Sequence, residues 1–318
     1  MNRRDFLKSA LAAGAVGGLF TASAGDYDDD LAVLLSDIHL CGGNGHPDRL
    51  FTRTQFDARI AEILAMRPLP RRVIHFGDLS LENGAVEDYL LAKEKIALLE
   101  AAGIEFVHVM GNHDRRGKFA SVFPGVCRNT PVPGRYVSVV PFKSFDLLLL
   151  DSLDAAEDQK RDVDPGRLND DQQEWLSRAL PEWKRPVIVG AHHPAGLLTV
   201  KGREIKELLV DSPKVVGWIN GHEHLWTKSV LYGWGRREDT IRSLGLPSAG
   251  FFLDIGLVEL RVTATEAVAK LRQSDYFFFG PGSAEERKPR VWRTIVEDNR
   301  NETCTFPIER RIRPWTMT

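Results

Sequence analysis

The chain has 318 residues, long enough to bury an enzyme-sized core. Its 42 basic residues are balanced by 44 acidic ones, which excludes the charge footprint of a protein that binds nucleic-acid polymers or acidic membrane surfaces. Apolar and charged fractions of 43% and 27% are those of a folded globular protein, which sets disordered and fibrous classes aside.

The first segment reads MNRRDFLKSALAAGAVGGLFTASA. Arg3 and Arg4 precede Phe6, Leu7 and Lys8, then an apolar run rich in Ala and Gly, then a small-residue cleavage site at Ala22-Ser23-Ala24. It resembles a twin-arginine export signal, with Asn2 where Ser or Thr is more usual. Residues 1–24 are therefore expected to be a removable signal peptide. The twin-arginine export machinery is then a partner, and the destination is periplasmic or otherwise exported. The run is short for a bilayer span and is interrupted by Gly14, Gly17 and Gly18, so no stable membrane insertion of the mature chain is predicted. Cys41, Cys127 and Cys304 form no disulfide framework and fit a chain that folds in a reducing cytoplasm.

After the acidic stretch Asp26 to Asp30, LAVLLS (31–36) is a strand-length apolar run with Asp37 at its end. FTRTQFDARIAEILAM (51–66) carries apolar residues at helical spacing, and RRVIHFGD (71–78) is a second strand ending in Gly77-Asp78. A helix over 86–102 stops at Gly103, and IEFVHVM (104–110) delivers Gly111 to Asp114. This β-α-β-α-β order predicts a parallel sheet, whose ligands bind beyond the carboxyl ends of the strands. Strands over 135–140 and 145–151 follow, then a helix over 171–180 capped by Asn169 or Asp170. PVIVGA (186–191) leads into His192, and KVVGWIN (214–220) leads into Gly221-His222-Glu223-His224. Further strands are expected near 226–234, 251–262 and 276–279. Residues 31–280 read as one domain, and 281–318 as a C-terminal extension packed on it, either as irregular structure or wrapped around the domain.

Five segments thus end in metal-ligating residue types, in the order SDIH, GD, GNHD, AHHP and GHEH. They supply Asp37 and His39, then Asp78, then Asn112 with His113, then His192, then His222 and His224. Each alone is weak, since a Gly-Asp pair is often a turn and a His-x-His pair an ordinary strand or loop feature. Together, each at a strand end, they resemble the calcineurin-like metallophosphoesterase superfamily over roughly 31–265. That resemblance implies an α/β fold, a four-layer α/β/β/α sandwich with two mixed sheets and a metal site at the carboxyl ends of the strands. It also implies two divalent or transition-metal ions, Mn, Fe or Zn. One would take Asp37, His39 and His224, the other Asn112, His192 and His222, with Asp78 bridging. The implied activity is hydrolysis of a small phosphate ester by a metal-bridging hydroxide, with His113 protonating the leaving oxygen or stabilising the phosphoryl charge. Two carboxylates and one hydroxide leave such a centre electrophilic toward phosphate.

Two departures narrow the branch. Purple acid phosphatases place a tyrosine ligand three residues after the bridging Asp, where this chain has Leu81. GNHD and HHP are more like the cyclic-nucleotide and glycerophosphodiester phosphodiesterases, so a phosphodiesterase is expected. A phosphomonoesterase or nucleotide pyrophosphohydrolase on the same fold stays open, as does a non-catalytic interaction scaffold, although no ligand is missing. A zinc protease is disfavoured, because no H-E-x-x-H segment exists. Asn44, His46, Arg115, Arg116 and Trp226 are candidate substrate contacts. Asp114 either orients His113 or meets solvent, and His193 either meets substrate or packs. His75 and His108 are read as core residues, and Cys41 as a structural neighbour.

Overall fold

The structure is a computed structural model describing residues 27–43, 49–126, 129–154, 166–233, 236–277 and 302–309. The signal segment, Cys127 and most of the C-terminal extension lie outside the described residues, as do Asn44 and His46. No helix among the described residues is long and apolar enough to cross a membrane.

The first half runs β1 (Tyr27–Leu35), α1 (Arg49–Leu64), β2 (Leu69–His75), α2 (Val86–Ala101), β3 (Glu105–His108) and a short α3 (Arg116–Val122). The second runs β4 (Ser138–Pro141), β5 (Asp146–Leu149), α4 (Asp170–Ala179), β6 (Val187–Ala191), a small hairpin of β7 (Thr199–Val200) and β8 (Arg203–Glu204), α5 (Ile205–Asp211) and β9 (Val215–Asn220). Then come β10 (Thr227–Gly233), β11 (Arg236–Gly245), β12 (Leu253–Val262), β13 (Glu266–Phe277) and β14 (Thr303–Pro307).

These strands form two six-stranded mixed sheets, ordered β14-β13-β12-β1-β2-β3 and β10-β11-β9-β6-β5-β4. In the first, β1, β2 and β3 are parallel and β12 runs antiparallel to β1. In the second, β5, β6, β9 and β11 are parallel. Three hydrophobic cores separate four layers. Side chains alternate across a strand, so Leu31, Val33 and Leu35 of β1 face Phe56 and Ile60 of α1 and Ile96 of α2, while Ala32 and Leu34 face the other way. Those two join Ile74, Ile188 and Ile219 between the sheets. Val187 and Val189 of β6 pack outward with Leu176 of α4 and Leu209 of α5. The result is an α/β/β/α sandwich.

Helix ends follow local chemistry. Asn169, rather than Asp170, is the N-cap of α4 and accepts from the Gln172 amide at 3.2 Å. Gly103 follows α2 at φ 76°, and the Ile104 amide returns to the Leu99 carbonyl. One finding departs from expectation: residues 303–307 are a strand, not irregular structure. β14 pairs antiparallel with β13, and its Phe306 is fully buried between the sheets, where Gly217 of β9 leaves no Cβ to collide with the ring.

Candidate metal centre

All five motifs lie just past the carboxyl ends of parallel strands. β1 leads to Asp37 and His39, β2 to Asp78 and β3 to Asn112, while β6 leads to His192 and β9 to His222 and His224. The two sheets therefore share the donor set. The backbone turns sharply to present these side chains. Asp37, His39, Asp78, His222 and His224 have φ of 52°, 49°, 59°, 72° and 56°, the left-handed region that non-glycine residues avoid. Among the described non-glycine residues only Lys201 and Leu253 share it. Neighbouring glycines give the ligands room. A Cβ on Gly77 would sit 2.6 Å from Nδ1 of His192, and one on Gly111 would run into the Asp78 carboxylate.

Donor atoms form two groups. In one, His224 Nε2 lies 3.1 Å from Asp37 Oδ1 and 3.2 Å from His39 Nε2. In the other, Asn112 Oδ1 lies 2.9 Å from His192 Nε2 and 3.0 Å from His222 Nδ1. The same oxygen of Asp78, Oδ2, reaches toward both, 3.7 Å from His39 Nε2 and 3.2 Å from His192 Nε2. This is the placement a bridging carboxylate needs. The structure thus brings together all seven residues expected as ligands.

Hydrogen bonds behind the rings fix which atoms face the centre. Nδ1 of His39 faces the Leu81 carbonyl at 3.3 Å, and Nδ1 of His224 faces the Phe252 carbonyl at 3.2 Å. A carbonyl only accepts, so both Nδ1 atoms carry a hydrogen, and in the neutral rings, the form a cation would bind, both Nε2 atoms present lone pairs. Two lone pairs 3.2 Å apart, beside an Asp37 Oδ1 that is buried without a hydrogen-bond partner, form an acceptor-only pocket that fits a cation. The other oxygen of Asp37 is held by the Ser36 hydroxyl and by the His222 amide.

Electrostatics agree. Burial alone would lift the Asp37 and Asp78 carboxyls, but nearby imidazoles, led by His224 for Asp37 and His192 for Asp78, outweigh it and hold both far below the usual carboxylate range. Burial drives His39 down to about 3 and His222 down to about 4, so both are neutral as ligands must be. Burial also opposes charge on His192, yet the Asp78 carboxylate outweighs it and pushes the ring up to about 9. The field at this point demands positive charge.

His113 lies at the His39 end of the centre. Its ring is edge-on to His39 with centroids 4.8 Å apart, and its amide donates to Asp78 Oδ1 at 2.8 Å. His193 is buried beside the opposite end, its Nδ1 2.8 Å from the Ser152 hydroxyl and its ring 4.8 Å from that of His222. A ring nitrogen of His193 lies within 4.8 Å of ring nitrogens of His192 and His222, so these three form a further possible donor group. Cys41 is buried and belongs to none of the donor clusters.

Several expected neighbours do other work. Arg115 is buried and donates to the Asn112 and Asp114 carbonyls, and Arg116 makes a two-pronged pair with Asp151 at 2.7 and 2.8 Å. Trp226 sits in the core between the sheets, its indole on Glu302. All three are engaged with neighbouring groups of the protein itself. Asp114 neither orients His113 nor meets solvent. It is fully buried and accepts backbone amides of Asp78, Ser80 and Gly111, tying together the two loops that carry Asp78 and Asn112. His75 and His108 stack behind it, with Nδ1 atoms 2.9 Å apart and His108 Nε2 3.5 Å from Asp114.

The sequence reading missed the loop before β12. Ser248 donates to the Asp37 carbonyl and accepts the Gly250 and Phe251 amides. Phe251 and Phe252 then wall the centre, 4.6 Å from the His39 ring and 4.4 Å from the His224 ring. No ligand-type residue in that loop could have signalled this.

Fold and donor set define a two-centre metallohydrolase sandwich. The family model described as calcineurin-like phosphoesterase matches residues 32–225, and the chain belongs to that family. Residues 1–20 match the twin-arginine translocation pathway signal sequence, which marks the chain for export across the cytoplasmic membrane. A probable cyclic nucleotide phosphodiesterase of Rhodopseudomonas palustris is 31% identical over 164 residues, covering 51% of this chain and 56% of that protein. The match therefore spans little more than half of that relative's length. Among solved structures, a dimetal phosphatase from Danio rerio superposes with a TM-score of 0.61 at 15% identity, covering 88% of this chain and 99% of that one. A purple acid phosphatase from yellow lupin (Lupinus luteus) gives 0.55 at 15% identity, covering 88% of this chain and 54% of that one. These two likenesses speak to the fold.

Proposed function

We propose that the protein is an exported, periplasmic phosphodiesterase that hydrolyses a small diester carrying a single phosphate, with two divalent cations as its cofactor. One observation carries the reading: acceptor atoms of Asp37, His39 and His224, and of Asn112, His192 and His222, converge in two groups that share one oxygen of Asp78. The donors are imidazole, carboxylate and amide without thiolate, a set that suits Mn, Fe or Zn. Bound there, two cations supply charge neutralisation and a hydroxide nucleophile at neutral pH.

The chain's own residues do the rest. Asp78 holds the two halves of the centre in register through the His113 amide, and the carbonyl behind each Nε2-facing ring fixes that ring's direction. His113, beside His39, donates a proton to the departing oxygen or stabilises charge on the phosphoryl group. Phe251 and Phe252 shield one side from water. A diester is favoured over a pyrophosphate because Arg115 and Arg116, the basic residues next to the centre in sequence, are committed to carbonyls and to Asp151. The printed activity of the Rhodopseudomonas relative points the same way.

Metal-reconstituted mature chain should turn over an alkyl or nucleoside phosphodiester at least about tenfold faster, in kcat/KM, than the matching monoester or a dinucleoside pyrophosphate, a gap worth about 1.4 kcal/mol. Faster turnover of the monoester would replace this reading with the phosphomonoesterase one.

A further inference from the structure

A cleft of about 610 Å³ opens beside His222, lined by Pro194, Gly196, Leu197, Leu225 and Glu223. Its lining is apolar apart from the His222 imidazole and the Glu223 carboxylate. Leu197 of this lining is 49% exposed. Glu223 stands between the ligands His222 and His224, is solvent-exposed, and its carboxylate has no hydrogen bond or ion pair among the described residues. No Lys or Arg lines the cleft.

The position of the cleft says which part of a substrate it would meet. His113 lies against His39, and the cleft opens at His222, in the other donor group. A diester whose phosphorus sits over the centre sends its leaving oxygen toward the acid at the His39 end. The ester arm that stays on phosphorus is then directed over His222 into the cleft.

We infer that this retained arm carries a cationic, ammonium-type group, held by Glu223 against the apolar wall of Pro194, Leu197 and Leu225. The inference rests on the phosphodiesterase reading and sharpens its substrate class. A quaternary or primary ammonium suits both features, since its methyl or methylene groups meet the wall and its charge meets the carboxylate. An anionic arm, such as a second phosphate, would face Glu223 with like charge. The reaction itself is unchanged: water adds to phosphorus, the bond to the leaving oxygen breaks, and the cationic phosphomonoester remains.

The test compares two diesters with the same leaving group. p-Nitrophenyl phosphorylcholine carries a trimethylammonium arm, and p-nitrophenyl 3,3-dimethylbutyl phosphate replaces it with an uncharged tert-butyl group of the same shape. Metal-loaded mature protein should favour the choline diester by about three- to fivefold in kcat/KM, the scale of a partly exposed ion pair. Glu223→Gln should bring that ratio close to one, and Glu223→Lys should invert it, with metal content checked in each variant. A ratio of one in the unaltered protein, or a ratio that Glu223→Gln leaves unmoved, would overturn the inference while leaving the phosphodiesterase reading intact. If neither diester is hydrolysed by protein with full metal content, the phosphodiesterase reading itself fails, and this one with it.

Discussion

Replacing Asp114 by Asn changes one atom of a side chain that touches no substrate, yet it should cost the protein a large part of its stability. Oδ2 of Asp114 accepts the amides of Asp78 at 3.1 Å and Gly111 at 3.0 Å. Oδ1 accepts the Ser80 amide at 3.3 Å and the Tyr89 hydroxyl at 3.1 Å. An asparagine must turn its NH2 toward one of these pairs. Facing Asp78 and Gly111 it would strand two buried donors. Facing Ser80 it strands one, and the Tyr89 hydroxyl, already accepting from the Arg115 amide, must reverse. The second arrangement costs less. One unsatisfied buried amide costs about 1–3 kcal/mol, and two charge-assisted bonds that become neutral lose about 1 kcal/mol each. Relief of a buried charge does not offset this. Burial opposes ionisation of Asp114, but the His108 ring 3.5 Å away and the Gly111 amide outweigh it and lower its pKa, so the folded protein favours the anion. The expected loss is about 3–5 kcal/mol, out of a total of about 5–15 kcal/mol for a typical domain. Urea unfolding of wild-type and Asp114→Asn protein measures it, and metal analysis should find the variant depleted. Because the folded pKa is depressed, the advantage of Asp114 is present above the usual carboxylate pKa and lost as pH falls through the lowered value. The stability gap should therefore narrow on acidification. A variant within about 1 kcal/mol of wild type and still holding two cations would refute the argument that Asp114 clamps the two loops.

Asp78→Asn removes the one oxygen that reaches both donor groups, so bound metal and nearly all activity should be lost; two equivalents retained with activity intact would remove the two-cation centre. His113→Ala should keep its metal and much of its rate on bis(p-nitrophenyl) phosphate, whose leaving group needs no proton. On an alkyl diester it should lose about 10²–10⁴-fold, the usual worth of a positioned acid; equal losses on both would mean that His113 does not donate the proton. Arg3→Lys combined with Arg4→Lys should leave the protein in the cytoplasm with its N-terminus intact, whereas wild type should be recovered outside it, beginning near Gly25. His192 is pushed up to about 9, so cation uptake near neutral pH should release a proton and tighten as pH rises toward that value. Titration calorimetry in two buffers of different ionisation enthalpy reads the proton directly.

The candidate donor residues were legible because they sit where strand periodicity changes: an apolar run ends, and a residue type that has no business in a core follows it. Asp37 after LAVLLS and His192 after PVIVGA are of that kind. What could not be read were elements whose evidence is spread thin. β13 offers only the short stretch Ala267-Val268-Ala269 before Lys270 and Arg272 interrupt it, and β11 is largely polar and lies beside the exposed strand β10, so neither gives a long apolar run. β14 depends on Phe306 finding Gly217, nearly ninety positions away, a match no local pattern encodes. The arginines after GNHD illustrate the opposite error. A basic residue beside a phosphate site invites a functional reading, but Arg116 had a buried partner in Asp151 that only the fold brings near.

The left-handed turns at Asp37, His39, Asp78, His222 and His224 have a bearing on how such a protein can change over time. Each holds its backbone at a cost on the order of 1 kcal/mol relative to glycine at the same angles. Glycine at any of them would relax the chain and steady the fold while erasing a donor atom. Folding and chemistry therefore pull these five positions in opposite directions. A lineage released from chemistry would have an easy downhill route toward glycine, one substitution at a time. This chain has taken none of those steps. The tension held in its loops is a trace of use, readable in one molecule without comparison to any other.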